Sequence, residues 1–141
     1  MRFFFDTSVL LPCFFENHIY HEASLRVFLE ANKEQSCCGA HSLAELYANA
    51  TRLPGKNRLG GDQALLFIDE VRDRLAIVAL TPEEYYSTIS DAAAEGIVGG
   101  TIYDALLCRC AVKAEAELIY TWNVRHFQQF SEDIAKRLRT P

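Results

Sequence analysis

Phe3, Phe4 and Phe5 form an apolar run that stops abruptly at an acid, Asp6, followed by the hydroxyl residues Thr7 and Ser8. The run reads as a strand over about residues 2 to 6, buried on both faces as in a parallel sheet. An aspartate at its end is costly unless it is paired, hydrated or holding a cation. A strand-end acid followed by Thr7 also has no evident capping role, so Asp6 is the first candidate for a site. Three later segments carry oxygen ligands that could meet it: Ser42 to Ala48 around Glu45, Gly99 to Leu107 around Asp104, and Tyr120 to Phe127 around Asn123.

Punctuation by Pro and Gly divides the rest of the chain into alternating helices and strands. Ser8 to Phe15 and Tyr20 to Ala31 read as helices, Ser36 to Gly39 as a second strand, and Ser42 to Leu53 as a helix stopped by Pro54 and Gly55. Residues Pro54 to Gly61 form an exposed loop. Asp62 to Arg74 reads as an amphipathic helix with Leu65, Leu66, Ile68 and Val71 on its apolar side, followed by a third strand from Leu75 to Leu80. Thr81 caps a helix with Pro82 at its first position, which fades near Glu95. After a glycine-rich loop from Gly96 to Gly100, a helix runs from Thr101 to Ala116 and a fourth strand from Leu118 to Tyr120. A fifth strand could come from Leu138 to Pro141. Strands joined through helices imply a parallel sheet, because parallel neighbours need long crossovers. With 141 residues, half of them hydrophobic, the expectation is one α/β domain over residues 1–141.

The formal net charge of −5 excludes a protein that holds nucleic acid through bulk positive charge. Contacts to phosphate would come from local basic residues: Arg52, Lys56 and Arg58 around the Pro54 loop, and Arg125 and His126 after the fourth strand. Five cysteines without a CxxC spacing suggest free thiols in a reducing cytoplasm. Neither a signal peptide nor a membrane span is expected. His18, His21 and His41 have no metal-like partner at i, i+4 and stay unassigned.

In open parallel sheets ligands gather beyond the carboxyl ends of the strands, and this edge collects all four candidates. Asp6 ends the first strand and Asn123 follows the fourth. Glu45 and Asp104 fall in the first turns of helices that begin at that edge. Both acids also fit capping boxes, Ser42 to Glu45 and Thr101 to Asp104, and Asn123 suits a turn. Crowded carboxylates raise one another's pKa unless a counter-charge is present. Oxygen-only ligands suit Mg2+ or Mn2+, which keep several waters and favour one or two carboxylates plus a substrate phosphate. A metal so held activates water against a phosphodiester. Asp6 and Asp104 are the candidate metal ligands, and Thr7 and Ser8 supply hydroxyls beside them for substrate.

These four segments, in order and with similar spacing, resemble the successive motifs of the PIN-domain ribonucleases, and within them the toxins of VapBC toxin-antitoxin pairs. The resemblance covers nearly the whole chain. It implies a three-layer α/β/α sandwich with a central parallel sheet of four or five strands. It implies a Mg2+- or Mn2+-dependent endoribonuclease leaving 5′-phosphate and 3′-hydroxyl ends, with Asp6, Glu45, Asp104 and Asn123 catalytic. It also implies a homodimer and an antitoxin that occludes the acidic site; Phe14, Phe15 and Tyr20, with the apolar stripe of the helices before the second strand, offer a groove for an antitoxin or a dimer mate. Asn123 departs from the pattern, since many relatives carry a fourth acid there. Two alternatives remain: a degenerate PIN domain that only binds RNA or protein, and a haloacid-dehalogenase-like phosphohydrolase using Asp6 as nucleophile. The latter wants a second aspartate two residues on, where this chain has Ser8.

Overall fold

A computed structural model describes residues 1–141, with every side chain except that of Asn57. The elements in order are β1 (Phe3–Phe5), α1 (Thr7–Leu10), a 3₁₀ turn (Leu11–Phe14), α2 (His21–Leu29), β2 (Ser36–Gly39), α3 (Ala40–Thr51), a second 3₁₀ turn (Gly55–Asn57), α4 (Gly61–Arg74), β3 (Ala76–Val78), α5 (Pro82–Ala94), α6 (Thr101–Lys113), β4 (Leu118–Tyr120), α7 (Val124–Gln128), α8 (Glu132–Arg137) and β5 (Leu138–Arg139). The five strands form one parallel sheet in the order β3-β2-β1-β4-β5. The C-terminal segment does add the fifth strand, against β4.

Alternation along the central strands builds the three layers, because successive side chains point to opposite faces. Phe4, Cys37 and Ile119 pack on one face with Leu107 and Ala111 of α6, Phe127 of α7 and Ile134 of α8. Phe5 and Cys38 face the other way, against Val9, Leu10, Phe28, Leu46 and Val71 of α1 to α4. Phe4 and Phe5 are almost fully buried, each worth roughly 1.5–3 kcal/mol of apolar burial. β1 lies between β2 and β4, so the chain changes direction across the sheet next to Asp6. A sheet of this kind opens a crevice at that switch point.

Several boundaries differ from the sequence reading. The first helix does not run unbroken to Phe15: with Pro12 at its second position, the chain tightens into a 3₁₀ turn from Leu11. Asp6 does have a capping role, as it is the N-cap of α1 and accepts from the Ser8 N–H. α3 starts at Ala40, with Gly39 as its N-cap and no side-chain cap, so the Ser42–Glu45 capping box does not form. The Thr101–Asp104 box does not form either, as Gly100 caps α6. Thr81, Pro82 and Glu84 do make the expected cap of α5.

On α4 the inward face is Ala64, Ile68, Val71 and the following Leu75, while Leu65 and Leu66 stand exposed. The i, i+4, i+7 stripe through Ala64 wins because a small residue lets the helix approach. Phe14 stacks on Phe67 at 4.4 Å and Phe15 meets the same ring edge-on. These two rings therefore pack within the fold.

Candidate active site

The register of the sheet assembles the site. Phe5 of β1 pairs with Tyr120 of β4, so the residues that follow, Asp6 and Thr121, sit side by side at the carboxyl edge. The Asp6 N–H continues the ladder to Tyr120 O at 2.9 Å. Asp6 is only 2% exposed. Its Oδ2 accepts from Ser8 Oγ at 2.6 Å, Thr121 Oγ1 at 2.8 Å and the Ser8 N–H at 3.3 Å. The two hydroxyls are fixed in turn: Ser8 Oγ accepts from Trp122 N–H and Thr121 Oγ1 from Asn123 N–H, both at 2.9 Å. Ser8, offered by the sequence as a substrate donor, is thus spent on orienting Asp6. These three bonds all fall on Oδ2.

Glu45 reaches the edge from the second turn of α3, where Thr7 Oγ1 lies 3.0 Å from Glu45 Oε1 and 2.8 Å from the buried Ser42 Oγ. Thr7 is itself buried, so its hydroxyl also serves protein partners. Asp104 comes from the first turn of α6, with its Oδ2 3.6 Å from His126 Nδ1. Burial holds the Asp6 carboxyl above the usual range, against the hydrogen bonds from Ser8 and Thr121. Burial also raises Glu45, opposed by the Thr7 hydroxyl and assisted by the charge of Asp6. Asp104 is pushed up to about 6 by burial and then by the charges of Asp6 and Glu45, with His126 acting the other way. The three acids therefore share one electrostatic neighbourhood although they come from three elements.

Asn123, Arg125 and His126 stand on the short segment after β4, and all three are exposed. Asn123 is the N-cap of α7, and its backbone, not its carboxamide, ties into the acid network. Arg125 has no ion pair among the described residues, whereas His126 faces Asp104. Arg52 and Arg58 bond to Asn49 Oδ1 and Leu53 O on and just after α3. Three contributors escaped the sequence reading. Thr121 had a signal, since it follows β4 as Asp6 follows β1. Ser42 was taken for a cap. The expectation that His41 has no metal-like partner at i, i+4 does not hold, because Glu45 stands there 3.9 Å away, and the His41 ring stacks on Tyr103 at 4.7 Å.

The donor set is carboxylate oxygen throughout, which fits a hard divalent cation. Among the described residues no three His, Cys, Asp or Glu side chains close into a ready-made cage. Carboxylate donors of this kind suit an ion that keeps several of its waters and takes only one or two protein carboxylates.

Residues 3–132 match the PIN domain family. This chain belongs to that family. The PIN domain here is 35% identical over 114 residues to ribonuclease VapC27 of Mycobacterium tuberculosis, covering 80% of this chain and 79% of that protein. Its fold matches the crystal structure of VapC20 from M. tuberculosis, a Sarcin-Ricin loop cleaving toxin, with a TM-score of 0.71 at 14% identity over 88% of this chain and 92% of the other. It also matches VapBC2 from Rickettsia felis, solved bound to a promoter DNA fragment, with a TM-score of 0.66 at 17% identity over 99% and 98% of the two chains. Both confirm the three-layer fold with its parallel sheet. No helix of this PIN domain among the described residues is long and apolar enough to cross a membrane.

Proposed function

We propose that this PIN domain is an endoribonuclease that uses Mg2+ or Mn2+ to hydrolyse RNA phosphodiester bonds, as the toxin of a toxin-antitoxin pair. The observation that carries the reading is the convergence of Asp6, Glu45 and Asp104 at one sheet edge, where each is held above its ordinary pKa. Three desolvated acids with only His41 and His126 beside them are a standing deficit of positive charge, and a divalent cation with an RNA phosphate remedies it. Bound there, the ion would supply Lewis acidity and an activated water. Asp6 and Asp104 are its protein ligands in this proposal. Ser8 and Thr121 hold the Asp6 carboxylate in one rotamer, and Thr7 does the same for Glu45, which is placed to accept a proton from the attacking water. Asn123, Arg125 and His126 border the edge from the β4 side and meet the RNA backbone.

The names of the relatives support the substrate class and the toxin role. A cognate antitoxin, a homodimer and a cytoplasmic setting belong to the same proposal. The test is incubation of the purified chain with a structured RNA pool and Mg2+ or Mn2+, beside an EDTA control and Asp6→Ala. Discrete metal-dependent cuts with 5′-phosphate ends, absent in the variant, are expected. Unchanged cutting by Asp6→Ala would overturn the site, and no cutting together with no calorimetric metal binding would favour a degenerate binding module.

A further inference from the structure

We propose that the open groove along α3 beside the acids is a subsite for single-stranded RNA, in which one unpaired base stacks on the outer face of Tyr103, whose inner face His41 covers, and a neighbouring phosphate meets Arg52. The ligand class rests on the ribonuclease reading; the subsite itself rests on the groove. It encloses about 400 Å³, within the range of small-ligand sites, and Glu45 forms part of its wall, so it is continuous with the acid cluster. Ala44 and Ala48 line it one helical turn apart, and these small residues keep it open.

One wall is aromatic. The rings of His41 and Tyr103 lie nearly parallel, 16° apart, and Tyr103 remains 47% exposed, so a π-surface is available next to Asp104. The other aromatic pair near the acids is committed internally: Tyr20 and Trp122 stack at 3.9 Å and Trp122 Nε1 donates to Ser24 Oγ. At the far end Arg52 lies seven residues beyond Glu45, about 10 Å along the helix. Its Nη2 donates to Asn49 Oδ1 at 2.8 Å, which aims the guanidinium, and no carboxylate pairs with it among the described residues. An aromatic platform followed by an uncommitted cation is the arrangement that binds a base and its phosphate without reading sequence. It selects unpaired nucleotides, since a stacked and paired base cannot offer its face. It also places positive charge where a chain of net charge −5 otherwise repels RNA.

The experiment is fluorescence anisotropy of a labelled short single-stranded RNA in EDTA, with the wild-type chain, Tyr103→Leu, Tyr103→Phe and Arg52→Ala, and with RNAs carrying one abasic position walked along the strand. Tyr103→Leu is expected to weaken binding about tenfold or more, with Tyr103→Phe near wild type. One abasic position should cost the wild type the same factor and cost Tyr103→Leu almost nothing further. Arg52→Ala should flatten the dependence of log K on log salt by about 0.7. Thermal melts establish that each variant is folded. Additive losses from the abasic site and Tyr103→Leu, wild-type affinity in both Leu and Ala variants, or no saturable binding by the wild type would overturn the subsite. Cleavage in Mg2+ is scored separately. Cutting with binding indifferent to Tyr103 and Arg52 refutes the subsite alone, whereas groove-dependent binding without cutting supports the subsite and refutes the nuclease.

Discussion

Thr121 Oγ1 donates to Asp6 Oδ2 at 2.8 Å across 115 residues of chain, and both groups are buried. The bond exists because β1 and β4 are parallel neighbours in register, so their next residues face each other at the same edge. Thr121 does two things at once, donating to the carboxylate and accepting the N–H of Asn123. A hydroxyl is the smallest group able to do both.

Thr121→Val keeps the shape and removes both bonds. It leaves a buried carboxylate with one hydroxyl donor and a backbone N–H without its acceptor, which costs about 1–3 kcal/mol. Urea unfolding should show that loss and Thr121→Ser should restore most of it. RNA cleavage should fall in Val more than the stability loss accounts for, because Asp6 is no longer held in place.

Asp6→Asn and Asp104→Asn should each lower cleavage by about a hundredfold or more. In EDTA both should melt at the same temperature as wild type or higher, since each removes a desolvated negative charge from a cluster. Mg2+ or Mn2+ should raise the melting temperature of the wild type and not of either variant. A metal-induced rise that survives in both would move the ion elsewhere.

The metal-free protein should lose stability as pH rises through the range set by Asp104. This carboxyl ionises near its ordinary 3.8 when unfolded and at about 6 when folded. Between those values the folded state keeps a proton that the unfolded state has released, so raising the pH favours unfolding. The contribution is most favourable below about pH 4 and is lost by the time pH passes the folded value. Asp6 and Glu45, both raised, act with the same sign. Melting temperatures in EDTA between pH 4 and 7 should fall, and Asp104→Asn should flatten the slope.

Gly39→Ala should destabilise the chain by about 1–3 kcal/mol through overpacking. A Cβ there would lie 2.7 Å from Leu107 Cδ2 and 3.4 Å from Cys110 Sγ, both on α6 and both buried. Gly39 ends β2 and caps α3, so the shift would pass to Glu45. A chemical-denaturation midpoint equal to that of wild type would show that α6 yields at no cost.

The strands were legible where apolar runs were short and bounded by glycine or an acid: Ser36–Gly39 and Leu118–Tyr120 lie where the sequence put them. Helix starts were less so, because Ser42 and Glu45 have the spacing of a cap while tertiary contacts with Thr7 claim both side chains. The outward face of α4 was misread because two leucines outweigh one alanine in hydropathy, yet the alanine is what lets the helix dock. In the site, the acids could be found from charge in costly places. Thr121 carried only the signal of its position after β4, and Ser42 carried none beyond a cap, since hydroxyls are cheap anywhere and gain meaning only when a partner from another segment arrives.

The long separation between Asp6 and Thr121 also sets an order of events during synthesis. A ribosome that has delivered β1, β2 and β3 has produced Asp6 and Glu45, but neither Asp104 nor the hydroxyl that steadies Asp6. The acidic edge is completed only when β4 docks beside β1. A chain interrupted at the end of β3 would carry Asp6 with Ser8 as its remaining hydroxyl donor and without the acid of α6 beside it.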